Sequence, residues 1–251
     1  MTRRRVAALH GRAAALREQA EAAVHPKPFL ADASGTVGII AEIKRRSPSQ
    51  GTIQADLDVA RYAQGYARGG AMAISVLTEE AHFGGSLQDL SLAAGVVELP
   101  VLRKDFIVDE LQLVEAVAHG ASAVLLIVRI LAPAQLFSLR SAAAALGLGT
   151  LIEVHAAHEL ELALTAEPSA VGVNARDLDT LRIDSAMAER LLAQVPADVI
   201  AVAESGIRTR PDVERVANAG ADFVLVGTSV ASQDDPEQAV RELAGVERKP
   251  R

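Results

Sequence analysis

Apolar runs of strand length alternate with amphipathic stretches of helical length along almost the whole chain. This alternation is typical of repeated βα units. It predicts eight strands, near residues 38–44, 71–77, 100–104, 122–128, 149–154, 169–174, 199–204 and 222–226. The chain length of 251 residues is usual for one eight-stranded barrel. We therefore predict an α/β fold consisting of a single (β/α)8 TIM barrel with an extra N-terminal helix.

We predict a single domain over residues 1–251. The domain has three parts. Residues 1–37 form an N-terminal extension in which 4–23 are expected to be helical, followed by a loop through His25 to Leu30. The barrel spans 38–246, and 247–251 are expected to form a disordered tail. An eight-stranded barrel does not require the extension, so two roles stay open: it caps the bottom of the barrel or covers the site.

Composition limits which binding partners and which cellular compartment are expected. A net charge of −7 with only 3% aromatic residues argues against nucleic-acid binding. The absence of cysteine excludes disulfides, thiolate metal sites and cysteine nucleophiles, and is consistent with the cytoplasm. Charged residues interrupt the first 25 positions, so neither a signal peptide nor a membrane anchor is expected. We expect a cytoplasmic monomer or weak homo-oligomer in which any anionic ligand is held by a local site.

Five predicted strands end in side chains that can ionise or donate hydrogen bonds. A parallel strand buried on both faces should be apolar throughout, and ionisable groups at the carboxyl ends of several such strands are typical of a barrel active site. The residues concerned are Glu42, Lys44, Lys104, Glu153, Asn174 and Glu204. Lysines that are crowded or desolvated have lowered pKa values, which would suit Lys44 and Lys104 to acid catalysis at neutral pH. The pattern predicts proton chemistry at the barrel mouth.

Two glycine-containing loops follow the last two predicted strands, where barrels usually bind phosphate. Ser205 and Gly206 follow the seventh strand, and Gly227 and Thr228 follow the eighth. Ser47, after the first strand, could add a hydroxyl from the opposite rim.

Five segments resemble the indole-3-glycerol-phosphate synthase family in order and spacing. They are AEIKRRSPS at 41–49, LRKDFI at 102–107, LIEVH at 151–155, GVNARDL at 172–178 and AESGI at 203–207. The resemblance covers nearly the whole chain, including the extra N-terminal helix. It implies closure of 1-(2-carboxyphenylamino)-1-deoxyribulose 5-phosphate to an indole in tryptophan biosynthesis, with loss of carbon dioxide and water. It also implies that no cofactor or metal takes part.

The resemblance implies roles for the catalytic candidates. Lys104 would be the acid for ring closure, while Lys44 would hold the substrate carboxylate and assist dehydration. Glu153 would be the base, and the division of the acid roles between the two lysines stays open. Glu42 and Glu204 are the other carboxyl candidates for proton transfer during dehydration.

The resemblance also implies substrate contacts. Asn174 and Arg176 would contact the substrate, and Pro48 and Phe106 would form apolar walls for its aromatic ring. The chain departs from the usual family pattern at two positions, where it carries Ala175 and Thr228.

The same residues bear on several alternative functions. His155 and His158 have one-turn helical spacing, but no third metal ligand is evident. A phosphoribosylanthranilate isomerase would be expected to use a cysteine, and chemistry like that of the tryptophan synthase α chain would not need the two strand-end lysines. A Schiff-base aldolase acting through Lys104 stays possible on chemical grounds. A non-catalytic binding barrel would be expected to have lost its acids and bases.

Overall fold

The computed structural model describes residues 2–23, 26–30 and 35–251, and its centre is a closed parallel barrel. The strands are β1 (Gly38–Ile43), β2 (Arg46–Ser47), β3 (Gly51–Thr52), β4 (Ala73–Leu77), β5 (Val101–Lys104), β6 (Ala123–Ile127), β7 (Gly149–Val154), β8 (Ala170–Asn174), β9 (Ile200–Glu204) and β10 (Phe223–Val226). Eight of them close in the order β1-β10-β9-β8-β7-β6-β5-β4. The other two, β2 and β3, form an antiparallel hairpin after β1.

Helices connect the barrel strands on the outside. They are α1 (Thr2–His10), α2 (Ala13–Ala22), α3 (Val59–Gly69), α4 (Glu80–Phe83), α5 (Leu87–Val96), α6 (Glu110–Ala118), α7 (Pro133–Ala145), α8 (Ala157–Thr165), α9 (Ser185–Leu192), α10 (Arg210–Asn218), α11 (Thr228–Ala231) and α12 (Pro236–Arg241), with a 3-10 helix, η1, at Val128–Ile130. Local sequence sets several of their ends. Asp58 caps α3 by accepting from the Arg61 amide, and Gly70 ends it at φ 99°.

The strands separate two apolar cores. Their outward side chains pack against the helices, whereas their inward side chains fill the barrel interior. Phe29 and Leu30 belong to the interior cluster. A Cβ on Gly149, the first residue of β7, would lie only 2.6 Å from the Phe29 Cβ. The segment before β1 therefore closes the bottom of the barrel, which is the first of the two roles left open.

The N-terminal helical region consists of two helices where the sequence predicts one. A turn at Gly11 and Arg12 separates them, and the Arg12 amide donates to the Leu9 carbonyl at 2.9 Å. Leu9 and Leu16 pack with Leu111, so α1 and α2 lie against α6. His25 of the expected loop lies outside the described residues, as do residues 24 and 31–34 beside that loop.

The predicted strands agree with the barrel strands to within two residues at each end. The chain end differs from the expected disorder. Glu247 forms an antiparallel bridge with Thr36, and Arg251 Nη1 pairs with Asp222 Oδ2 at 2.8 Å. Asp222 is buried, so its carboxylate needs such a partner. Within the described ranges, no helix is both long and apolar enough to cross a membrane.

Candidate active site

A pocket of about 780 Å³ opens at the carboxyl ends of the barrel strands, a volume suited to a small molecule. It brings together every predicted site residue except one. Its lining includes Glu42, Lys44, Ser47, Pro48, Lys104, Phe106, Glu153, Asn174, Arg176, Ser205, Gly206, Gly227 and Thr228. The exception, Glu204, is 1% exposed and lies behind the lining, where it contacts Lys104.

Two lysines and two carboxyl groups form a connected cluster at the pocket floor. Glu42 and Lys44 are two residues apart, so both side chains leave β1 on the same side. Lys44 Nζ lies 2.7 Å from Glu42 Oε1, and Lys104 Nζ lies 3.2 Å from Glu42 Oε2. Lys104 Nζ also lies 3.2 Å from Glu204 Oε2. Glu42 therefore bridges the two ammonium groups and holds both at the same part of the pocket.

The protonation of Lys104 differs from the expectation of a lowered pKa. Burial acts to lower the pKa of Lys104, but Glu42, Glu204 and Glu153 outweigh it and raise that pKa above its ordinary value. Burial acts to raise the pKa of Glu42, but Lys104 and Lys44 bring it down to about 2. The pocket therefore presents a charged lysine next to a carboxylate.

Glu153 and Glu204 are both buried, yet their pKa values move in opposite directions. Burial raises the pKa of Glu204 to about 8, with help from Glu153 and against Lys104. Burial also acts to raise the pKa of Glu153, but His155 and Lys104 outweigh it and the pKa falls below its ordinary value. Two neighbouring carboxyls tuned apart in this way can act as an acid and a base.

The loop after β9 has an unusual backbone. Ser205 adopts φ 65° and Gly206 φ 76°, both in the left-handed region. A non-glycine residue there is strained by roughly 1–3 kcal/mol, which is a feature of functional loops. Ser229 Oγ donates to the Ile207 carbonyl at 3.2 Å and so connects this loop to the one after β10. The two predicted phosphate loops are therefore joined at the same rim.

Two arginines give this rim a positive charge. Arg176 and Arg208 both line the pocket, and burial together with the nearby Arg208 lowers the pKa of Arg176. Arg208 lies two residues after Gly206 in the loop after β9. Asn174 Oδ1 accepts from the Arg176 amide at 3.0 Å, and the strand register places Asn174 beside Glu204. This side of the pocket is suited to an anion.

Sequence reasoning missed most of the apolar wall. Beyond Pro48 and Phe106, the lining includes Leu77, Leu125, Ile127, Ile130, Leu178, Leu181 and Ile183. β4 and β6 end in the apolar residues Leu77 and Ile127, and a search for charged strand ends passes over them. In the folded barrel Ile127 is in register with Glu153, so this apolar residue lies at the same level of the barrel mouth as the charged one.

The histidine pair 155/158 does not converge. His155 is buried between Glu153 and Glu159, whereas His158 is exposed. Among the residues that the structure describes, no three or more His, Asp or Glu side chains form a group able to hold a metal ion.

Comparison with known proteins connects this geometry to one family. A family model described as indole-3-glycerol phosphate synthase matches residues 2–243. Indole-3-glycerol phosphate synthase 1 of Streptomyces coelicolor is 48% identical over 229 residues, covering 91% of this chain and 85% of the relative. The indole-3-glycerol phosphate synthase of Desulfosudis oleivorans is 49% identical over 211 residues, covering 84% and 80%.

Solved structures with low sequence identity share the fold. 3-Hexulose-6-phosphate synthase from Salmonella typhimurium superposes with a TM-score of 0.66 at 15% identity, covering 82% of this chain and 96% of that one. Thiamine phosphate pyrophosphorylase from Pyrococcus furiosus gives a TM-score of 0.63 at 17% identity, covering 82% and 93%. At these identities the similarity concerns the barrel alone.

Proposed function

Because the chain belongs to the indole-3-glycerol-phosphate synthase family, we propose that its pocket converts 1-(2-carboxyphenylamino)-1-deoxyribulose 5-phosphate to indole-3-glycerol phosphate. Carbon dioxide and water leave in this reaction, which belongs to tryptophan biosynthesis. The observation that carries the proposal is the pair of strand-end lysines bridged by Glu42 in the pocket. The proposed reaction uses no cofactor.

Ring closure uses the lysine pair. Lys104 donates a proton from Nζ to the ribulose carbonyl oxygen as the aryl carbon attacks the carbonyl carbon and the C=O π electrons move to that oxygen. Lys44 faces the substrate carboxylate and holds it by charge. Glu42 keeps the two ammonium groups in place, at 2.7 Å from Lys44 and 3.2 Å from Lys104. Loss of the carboxylate as carbon dioxide then leaves its electron pair in the ring system.

Dehydration uses a base and a second acid. The ionised Glu153 accepts the proton that leaves as the indole becomes aromatic, because its pKa is held low. Lys44 assists departure of the hydroxyl as water. Glu204 lies under Lys104 as a neutral acid at pH 7, since its pKa is about 8. It can restore the proton that Lys104 gives up.

The remaining contacts orient the substrate. Ser205, Gly206, Gly227 and Thr228 bind the phosphate, and Ser47 contributes a hydroxyl from the opposite rim. Asn174 and Arg176 contact the polar groups of the substrate. Pro48 and Phe106 pack on its aromatic ring.

A Schiff-base aldolase is disfavoured by the same electrostatics. Imine formation needs an unprotonated amine, whereas the carboxylates around Lys104 raise its pKa. Borohydride trapping with a carbonyl substrate would detect such an adduct. We expect none.

The test is a fluorescence assay of indole formation in metal-free buffer, comparing wild type with Lys104→Met and Lys249→Met. The exposed Lys249 serves as the matched control. We expect Lys104→Met to lower kcat by about 10²–10⁴-fold while the substrate still binds. Wild-type turnover in Lys104→Met would remove Lys104 from the mechanism. Substrate binding without turnover by the wild type would contradict the proposed reaction.

The enzyme is proposed to act in the cytoplasm as a monomer or weak homo-oligomer. Light scattering over a concentration series measures the oligomeric state.

A further inference from the structure

His155 is a buried charged group that touches the proposed base without lining the pocket. It follows β7 directly, and its side chain is 2% exposed. Its Nε2 lies 3.3 Å from Glu153 Oε1, and its Nδ1 lies 3.4 Å from Glu159 Oε2. Glu153 lines the pocket, whereas His155 is not among the lining residues. Any effect of His155 on the reaction must therefore pass through Glu153.

His155 is the centre of a row of alternating charges. Glu159, in the first turn of α8, also accepts from the His155 backbone amide at 2.6 Å. Arg129 of η1 donates from Nε to Glu159 Oε1 at 3.3 Å. The other side of the same guanidinium donates from Nη1 to Asp177 Oδ2 at 3.0 Å, in the loop after β8. The row Glu153–His155–Glu159–Arg129–Asp177 thus connects the pocket to three neighbouring segments of the barrel mouth.

We propose that His155 is a positioning residue for the reaction: as an imidazolium fixed by Glu159, it keeps the Glu153 carboxylate ionised and oriented toward the substrate. The proposal rests on the proposed function, in which Glu153 accepts a proton. His155 itself transfers none. Arg129 stabilises the arrangement from behind by pairing with Glu159.

The charges around the pair support an imidazolium at neutral pH. Glu153 of β7 and Glu159 of α8 face His155, while Lys104 of β5 and Asn174 of β8 face Glu153. Burial acts to lower the pKa of His155, but the two carboxylates raise it to about 9. Burial would raise the pKa of Glu153, and His155 is the largest influence against it. Without His155, the burial remains and the proposed base becomes harder to ionise.

The first test compares pH profiles of kcat/KM for wild type, His155→Asn and His158→Asn. Asparagine retains a hydrogen-bond donor without the charge, and the exposed His158 is a control on the same turn. We expect the acidic limb of His155→Asn to move upward by about one pH unit, because a neighbouring opposite charge shifts a carboxyl pKa by roughly 1–3 units. Activity on that limb then falls about ten-fold, with KM little changed. A profile that superimposes on the wild type would overturn the proposal.

The second test does not depend on turnover. Imidazole titration by NMR in the substrate-free protein should show His155 charged through pH 8, with its signal assigned by elimination in single His→Asn variants of the other five histidines. Glu159→Gln and Glu153→Gln should each lower its pKa. A neutral His155 at pH 7 in the wild type would overturn the proposal even if His155→Asn does not fold.

Different results would contradict the proposed reaction and the proposed role of His155. A folded wild type without turnover overturns the proposed function and, with it, the role of His155 in that reaction. An active wild type whose His155 titrates below pH 7 overturns only the role of His155.

Discussion

Two glycines make space for buried carboxylates at the barrel mouth. A Cβ on Gly172 of β8 would lie 2.1 Å from Glu204 Oε1. A Cβ on Gly227, after β10, would lie 2.2 Å from Glu42 Oε1 and 2.7 Å from Lys44 Nζ. Real Cβ atoms do not approach so closely, so any side chain at either position would push a proposed catalytic group aside. Gly227, which the sequence indicates only as a phosphate contact, therefore also determines where Glu42 and Lys44 lie.

Gly172→Ala tests this use of space. The added methyl displaces Glu204 from Lys104, and we expect kcat to fall by about ten-fold or more, because small displacements of positioned groups have large effects on rate. Overpacking also lowers the free energy of unfolding by about 1–3 kcal/mol. Gly95→Ala in α5 is the matched control, since its Cβ would meet no atom within 4 Å. Equal kcat in both variants would contradict the assigned role of Gly172.

Glu204 should make the stability of the protein depend on pH. Its pKa is about 8 in the folded state and 4.5 in the reference state, so between these values the folded chain holds a proton that the unfolded chain has lost. The stability contribution is present below pH 4.5 and is lost as the pH rises through 8. Glutamine imitates the neutral acid and does not titrate.

We expect the unfolding free energy of the wild type, relative to Glu204→Gln, to fall between pH 5 and pH 8. The slope approaches on the order of 1 kcal/mol per pH unit. Urea unfolding at several pH values measures it. A difference that stays constant across this range would mean that Glu204 is already ionised in the folded protein.

At the scale of elements, the strands were predictable and their surroundings were not. A strand buried on both faces is mostly apolar, and β7, in which Leu151, Ile152 and Val154 surround the polar Glu153, was predicted with its observed bounds. The β2–β3 hairpin consists of two-residue strands with mostly exposed side chains, and so carries no apolar pattern. The break between α1 and α2 falls at Gly11, a single weak signal within a helical pattern.

Part of the lining of the candidate site was predictable from the sequence, but its electrostatics were not. Charged residues at the ends of buried strands indicate Lys44, Lys104 and Glu153 as candidates from sequence alone, and all three line the pocket. The pKa of Lys104 depends on which carboxylates surround it, and those come from β1, β7 and β9. Such contacts between distant segments require the closed barrel. The apolar wall was missed because apolar strand ends look like any other core residues.

An ion pair next to β1 connects this strand to α5. Arg45, which follows Lys44, pairs with Asp89, and its Nη2 donates to Asp89 Oδ1 at 3.0 Å. The same nitrogen donates to the Leu57 carbonyl at 3.3 Å. Asp89 is 5% exposed. This pair anchors the chain on the outer side of the barrel, just where Lys44 turns inward.

Arg45→Met should loosen that anchor. Because Asp89 is left buried without its arginine, we expect a loss of about 1–3 kcal/mol in unfolding free energy. We also expect kcat to fall by about ten-fold as Lys44 becomes less well positioned. Arg46→Met, at the exposed next residue, is the control. A variant with reduced stability and wild-type kcat would show that the pair serves folding only.

At the scale of the whole molecule, the last helix packs against the first helix of the barrel ring. Gly65 and Gly69 of α3 face α12: a Cβ on Gly65 would lie 2.5 Å from Pro236 Cγ, and one on Gly69 would lie 2.5 Å from the Glu237 carbonyl oxygen. Arg68 Nε adds an ion pair to Glu237 Oε2 at 2.8 Å. Close backbone approach at this seam joins the first and last helices of the ring, so the ring closes where β10 pairs with β1.

Gly69→Ala tests whether this seam belongs to the cooperative unit that carries the site. In a solvent-exposed helix, replacing glycine with alanine would raise the free energy of unfolding by up to about 1 kcal/mol. Here the methyl meets the backbone of α12, so we expect the free energy of unfolding to fall by about 1–3 kcal/mol. Gln64→Ala, at an exposed position of α3, is the control. Because the ring is closed, helix signal by circular dichroism and indole-forming activity should be lost together, at a lower urea concentration than in wild type. Activity that persists after part of the helix signal has gone would mean that α12 detaches without opening the barrel.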